Sequence, residues 1–232
     1  WEPLRYLFPV VAPLTGKVER FTPLPFTDKP QYINNTIIDN FQDEKLDLRW
    51  TFIRVPEDKT YSLSENPGFL RLYSKPGIIQ NRKRFSLVGF RQKESDFEFE
   101  VKMNFSPEKD KVESGIIHYQ KEWNYLTNTV TKVKKKYYLE QKLKEKSKEV
   151  VTLKKTILKG YDGNIILKVK SKKDKYDFYY SLNNGSSFIY FTSMDAIKIM
   201  DRNYTGALLG LFTTSNGSSS QDYADYDWVR YK

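Results

Sequence analysis

The chain contains no cysteine and a single histidine, His118. The first absence excludes a disulfide framework, a thiolate metal site and a cysteine nucleophile; it leaves the compartment open, because secreted bacterial proteins also do without disulfides. The second excludes an HExxH arrangement and any histidine-rich zinc centre. No apolar run reaches the roughly 18 residues of a membrane span. The N-terminus, Trp1-Glu2-Pro3, lacks a basic region followed by an apolar core and so does not read as a signal peptide. A chain that starts at Trp1 is expected to be processed or trimmed, and a piece of something larger. Neither a GxSxG elbow nor a glycine-rich phosphate loop occurs.

What is present is a 232-residue chain with 16% aromatic residues, enough to bury one large core. Its net charge is +10, and charge of that size raises the question of nucleic acid. Ten lysines and three glutamates between Lys132 and Lys155 account for +7 of it, so the charge is a local ribbon rather than a basic face, and no nucleic acid partner is expected.

Six of the ten prolines fall in residues 1–37, which read as an extended, Pro-rich N-terminal arm or linker. Its aromatics, Trp1, Tyr6, Phe8, Phe21 and Phe26, imply that it lies on a surface. Residues 38–232 form the second region, dominated by period-2 alternation. Phe97, Phe99, Val101, Met103 and Phe105 fall on one face against Glu98, Glu100, Lys102 and Asn104, the pattern of a half-buried antiparallel strand. Further strands are expected over 69–73, 115–120, 165–170, 176–182, 188–191, 207–213 and 223–231, separated by turn-forming runs such as Asn66-Pro67-Gly68 and Asn183-Asn184-Gly185-Ser186. Residues 132–155 alternate around a polar centre at 144–149 and predict a two-stranded hairpin whose lysines protect a sheet edge. The fold class is all-β, an antiparallel β-sandwich.

Candidate chemistry is sparse. His118 lies on an expected strand, and its simplest role is a strand histidine with an ordinary hydrogen-bond partner; a general-base role is the alternative. Glu98 and Glu100 read as a solvated sheet face, so no catalytic pair of carboxylates is nominated. Asp225 and Asp227 share one face of the last strand. Asp39 lies near the first, and these three could together hold a structural Ca²⁺ through hard oxygens; hydrogen bonds or ion pairs without metal are as good an account. Trp50, Trp123, Tyr125 and Tyr204, at strand ends or in loops, could stack on sugar rings or pack in the core.

The ordered segments Leu46-Asp47-Leu48-Arg49-Trp50, Asn66-Pro67-Gly68-Phe69-Leu70-Arg71-Leu72, Phe90-Arg91-Gln92, Glu113-Ser114-Gly115-Ile116-Ile117-His118-Tyr119, Trp123-Asn124-Tyr125, Tyr204-Thr205-Gly206-Ala207-Leu208-Leu209-Gly210-Leu211 and Tyr223-Ala224-Asp225-Tyr226-Asp227-Trp228 resemble the C-terminal β-sandwich of family 43 glycoside hydrolases of the β-xylosidase type. The resemblance runs from about residue 38 to the end. It implies a concanavalin A-like sandwich packed against a catalytic β-propeller that carries the acid, the base and the pKa-modulating carboxylate; residues 1–37 are too few for a propeller. It also implies that an aromatic before the Arg-Gln motif reaches the propeller's sugar pocket. Leu87 stands at that position, with Phe85 two residues earlier on the same face as the better bet.

These implications make the chain a non-catalytic ancillary domain of a xylan- or arabinan-directed hydrolase. Its expected partners are the propeller and xylo- or arabino-oligosaccharides, and its expected location is periplasmic or secreted. Two alternatives remain: a stand-alone glycosidase or lyase with two carboxylates on the concave sheet, or an anionic-polymer binder using Lys132–Lys155 with Tyr137 and Tyr138 for stacking.

Overall fold

A computed structural model describes residues 36–81, 85–200 and 206–232. The expected Pro-rich arm therefore lies outside the described residues except at its last two positions.

Fifteen strands appear in chain order: β1 Ile37–Asp39, β2 Thr51–Phe52, β3 Tyr61–Ser62, β4 Leu70–Tyr73, β5 Ser86–Arg91, β6 Phe97–Asn104, β7 Glu113–Lys121, β8 Asn124–Val133, β9 Lys136–Glu145, β10 Val151–Ile157, β11 Asn164–Lys172, β12 Lys175–Ser181, β13 Ile189–Asp195, β14 Leu208–Thr214 and β15 Tyr223–Tyr231. The only helical elements among the described residues are two short 3-10 turns, Ile79–Asn81 and Ala196–Lys198. Seven strands form one sheet in the order β10-β9-β8-β7-β14-β5-β2. The other sheet runs β13-β12-β11-β6-β15-β4-β3, with β1 added beside β15 as its eighth strand. Every pairing is antiparallel. The expected sandwich is present, as are the pairing of the first and last strands (Asp39 opposite Val229) and the β9–β10 hairpin at a sheet edge.

Alternation decides which side chains meet between the sheets. Phe97, Phe99, Val101 and Met103 of β6, Leu167 and Val169 of β11, and Tyr226, Val229 and Tyr231 of β15 enter the main core from the eight-stranded sheet. Val88 and Phe90 of β5, Ile116 of β7, Leu126 and Val130 of β8, and Leu209 and Leu211 of β14 meet them from the other side. Strands β8 and β5 were not located from alternation; both faces of β8 are buried, and β5 is buried at every position except Arg91.

Two corrections concern charged and polar residues. Glu100 is not on a solvated face: it is 2% exposed and accepts from Lys168 and Arg230. Burial pushes Glu98 up, but Lys168, Lys170 and Lys232 outweigh it and bring the carboxyl down to about 2. His118 is a core residue of β7, stacked on Tyr176 at 4.9 Å and edge-on to Phe178, yet neither ring nitrogen has a hydrogen-bond partner. The expected partner is missing because its neighbours are Phe97, Tyr176 and Phe178, which offer it only ring faces and edges.

Polar contact across the core is concentrated at Tyr226. Its hydroxyl reaches the opposite sheet, 2.7 Å from Ser114 Oγ, and lies 3.1 Å from Gly115 O and 3.2 Å from Phe212 O. Gly115 is required where β8 comes close: a Cβ there would lie 2.2 Å from Asn128 O.

Two outcomes follow. Gly115→Ala should destabilise the domain by about 2–4 kcal/mol through backbone displacement, read as a lower urea midpoint. Burial lowers the His118 pKa to about 3 from 6.5, so the unfolded chain takes up the proton first; this stability is complete above pH 6.5 and is lost as pH falls towards 3. By pH 5 the loss is about 2 kcal/mol. His118→Phe should flatten the pH dependence of unfolding in that window, and an unchanged slope would contradict the assignment.

Candidate functional site

The seven-stranded sheet is unusual in burying apolar residues on both faces. Residues that alternate with the main-core set, Leu87 of β5, Ile117 and Tyr119 of β7, Tyr125 of β8, and Leu208 and Phe212 of β14, form a second cluster with Ile79 on the face turned away from the sandwich interior. Ile53, Phe85 and Val150 pack against it.

Register lays this outer face out in rows. One row runs Leu87, Phe212, Gly115, Thr129, Glu140; the next Gly89, Gly210, Ile117, Thr127, Lys142; the third Arg91, Leu208, Tyr119, Tyr125, Lys144. The face thus changes across the sheet from apolar on β5, β14 and β7 to hydroxyl-bearing on β8 and charged on β9. Paired Gly89 and Gly210 leave its middle without side chains.

At the charged end, Lys142 Nζ lies 2.7 Å from Glu113 Oε2 and 3.2 Å from Glu140 Oε2. Thr129 Oγ1 and Asn216 Nδ2 each donate to Glu113 at 3.0 Å, and Lys155 stands 3.4 Å from Glu140. Burial pulls the Lys142 pKa down, but the two carboxylates outweigh it and hold the ammonium above its ordinary value. Two carboxylates on one sheet face are what the stand-alone glycosidase alternative required. Here, however, Lys142 is clamped between them and both have further donors, so neither is free to protonate a leaving oxygen or to attack a sugar.

Phe85 and Leu87 lie together on the apolar side, as expected. Leu87 is buried; Phe85 is half-buried, precedes β5 and meets Phe212 edge-on at 6.1 Å. Both border a small cavity lined also by Phe52, Ile53, Arg54 and Lys75. Tyr125 belongs to the same cluster, where burial raises its pKa. Trp50 does not reach this face: it packs in the main core against Phe90 at 5.3 Å and donates from Nε1 to Asp39 at 2.7 Å, so a sugar-stacking role is withdrawn. Trp123 sits in the β7–β8 turn, 36% exposed, with Lys121 over its ring at 5.2 Å. Tyr204 lies outside the described residues.

The three aspartates read as Ca²⁺ ligands do not converge. Asp39 accepts from Trp50 and from the Phe41 amide. Asp225 is held by Arg71 at 2.7 and 2.8 Å and by Asn66 at 2.9 Å, and Asp227 pairs with Lys102 at 2.8 Å. Organic cations and amides take the oxygens a metal would need, and among the described residues no group of three or more acidic or histidine side chains is placed to hold one. The donor set does not fit Ca²⁺.

The basic hairpin is also largely committed internally. Lys132 donates to two carbonyls, Lys144 to Lys148 O, and Lys148 pairs with Glu145. Tyr137 packs on Tyr161 at 4.9 Å and Lys155 covers Tyr138 at 4.8 Å, so no bare ring awaits a base. Glu113, Lys142, Ile117 and Phe212 were not singled out from sequence, because nothing local shows that residues a hundred positions apart share one face.

A family model for the β-xylosidase C-terminal concanavalin A-like domain matches residues 38–232. A xylosidase/arabinosidase of Butyrivibrio fibrisolvens is 30% identical over 95% of this chain and 43% of its own length. A non-reducing end α-L-arabinofuranosidase of Bacteroides ovatus is 26% identical over 94% and 41%. Among solved structures, the GH43 protein BlXynB of Bacillus licheniformis matches with a TM-score of 0.75 and 29% identity, over 90% of this chain and 40% of that one. The chain thus spans about two-fifths of the length of these relatives. With its fold, its matched span and these relatives in agreement, the chain belongs to the β-xylosidase C-terminal concanavalin A-like domain family of the GH43 enzymes.

Proposed function

We propose that this domain serves a xylosidase or arabinofuranosidase by packing the outer face of its seven-stranded sheet against a catalytic β-propeller, with Phe85 at the margin of the propeller's sugar pocket. The observation that carries this reading is the apolar cluster on that face, Leu87, Ile117, Tyr119, Tyr125, Leu208 and Phe212. These side chains are already only 0–7% exposed within the chain, so on this reading the propeller meets the half-buried residues packed against the cluster, Ile53, Phe85 and Val150. The relatives' additional length agrees with a second domain.

The contribution is positional. Phe85 adds a flat apolar edge beside the sugar and excludes water, while bond cleavage belongs to the propeller. Xylo- and arabino-oligosaccharides are the substrates on this reading. A periplasmic or secreted location is part of the same proposal, from the origin of those fragments in extracellular plant polysaccharide.

In the intact natural protein, removal of this chain should abolish most turnover of aryl β-xyloside and aryl α-arabinofuranoside. Phe85→Ala should raise KM several-fold while leaving the melting temperature nearly unchanged, since Phe85 is only half-buried. Unchanged kinetics in both experiments would overturn the reading.

A further inference from the structure

The opposite face of the molecule, the outer side of the eight-stranded sheet, carries a cleft of about 430 Å³ lined by Lys102, Asp162, Asn164, Ile166, Ser181 and Asn184 among others. That volume lies in the range of sites for small organic ligands. We propose that this cleft and the strands beside it bind a neutral polysaccharide chain, as a surface site separate from the propeller-facing side. The proposal goes beyond the docking reading and does not depend on it.

Register again orders the face. One row runs Trp228, Lys102, Ile166, Ser181, and the next Arg230, Glu100, Lys168, Tyr179, Tyr190. Trp228 comes to this face because a bulge between Tyr226 and Trp228 breaks the alternation that would have turned it inward. Half-buried or exposed rings lie on the strands beside the cleft, Trp228 across from Lys102 and Tyr179 two residues from Ser181. Arg230 stands over the Trp228 ring at 5.7 Å, so that ring is already covered, whereas Tyr179 meets Tyr190 edge-on at 5.6 Å on β12 and β13, with Tyr190 53% exposed. From β15 to β12 is three strand spacings, about 14 Å, enough for several sugar rings.

The lining of the cleft, rather than the charge around it, selects the ligand class. Lys102 pairs with Asp227, Lys168 with Glu98 and Glu100, Lys170 and Lys232 with Glu98, and Arg230 with Glu100. Five cations here share three acids, Glu98 serving three of them and Glu100 two, so the charge does not favour a neutral ligand and the choice rests on the lining of the cleft. A polyol, whose hydroxyls both donate and accept, matches the mixed amides, carboxylate and hydroxyl of the lining, with Ile166 as an apolar floor and the exposed Tyr190 as a stacking surface beside it.

The cleft is also preorganised. Asn183 Oδ1 accepts from Ser181 Oγ at 2.8 Å and from the Ser187 amide at 3.1 Å, while its Nδ2 donates to Ser187 Oγ at 2.9 Å. This fixes the turn that presents Asn184, which is exposed and has φ of 56°. Asp162 Oδ1 accepts from the Asn164 amide at 2.9 Å, fixing the facing turn.

The test uses the intact natural protein with two probes, insoluble neutral arabinoxylan for binding and aryl glycosides for turnover. Tyr190→Ala combined with Asn184→Gly changes two exposed positions, and glycine suits the φ at 184. The double variant should bind arabinoxylan about tenfold more weakly, with turnover and melting temperature unchanged and with added salt having little effect on wild-type binding. Each single variant should lose part of the affinity, which guards against a folding defect in the double. Equal binding by wild type and variants, no binding by wild type, or binding abolished by salt would each overturn the proposal. Absence of aryl glycoside turnover in the wild type would count against the proposed function alone, since polymer binding and its loss in the variants are read independently.

Discussion

The constraint on which the rest of this domain depends is that its seven-stranded sheet is apolar on both faces. One face is satisfied by the second sheet, through Phe99, Phe90, Tyr231 and the residues around them. The other gathers Leu87, Ile117, Tyr119, Tyr125, Leu208 and Phe212 into a cluster of its own. In an ordinary sandwich the outer positions of each strand are polar; here β5, β7 and β14 depart from that rule, and the cluster they form is itself buried within the chain. The eight-stranded sheet keeps the ordinary arrangement, with a lattice of paired charges outside and rings inside.

Buried polar groups then divide into those the fold answers and several it does not. Tyr226 ties β15 to β7 and β14 across the core, and burial pushes its hydroxyl up to about 12. Lys142 bridges Glu113 and Glu140 on the outer face, with Lys155 also on Glu140 and Thr129 and Asn216 donating to Glu113. Asp225 lies buried beneath Arg71 and Asn66, with the guanidinium also over the Tyr223 ring at 3.7 Å. His118 is among the unanswered, with both ring nitrogens unpartnered among the described residues: a neutral ring enclosed by Phe97, Tyr176 and Phe178, tolerated as an aromatic and costly as an imidazolium. The network chemistry explains why acidic residues that looked available for metal or catalysis are spent on structure.

Much of the fold was legible in the sequence. Wherever one face of a strand is wet, as on β6, β11 and β15, alternation and turn residues located it, and the hairpin β9–β10 was placed by the same signal despite its lysines. Strands β5 and β8 escaped; they are buried on both sides, but so are β7 and β14, which were located, so double burial alone does not account for the difference. The bulge at Asp227 escaped because one extra residue leaves no compositional trace, yet it decides that Trp228 faces outward.

The candidate site was far less legible. Ordered motifs identified the family and pointed to Phe85 and Leu87, which do share the apolar face. Trp50 shows the limit: a tryptophan at a strand end reads the same whether its ring meets a sugar or Phe90, and only the packing assigned it to the core. The aspartates show it again, since Asp39, Asp225 and Asp227 lie close in topology but turn to different partners. By itself, then, the sequence determined the class of fold, the strand-and-turn rhythm and the family, because those depend on local periodicity and on the order of short motifs. Only the tertiary structure decided which side chains share a face, which charges are already paired and which rings remain exposed, because these depend on register between strands distant in the chain, and a shift of one residue exchanges inside for outside.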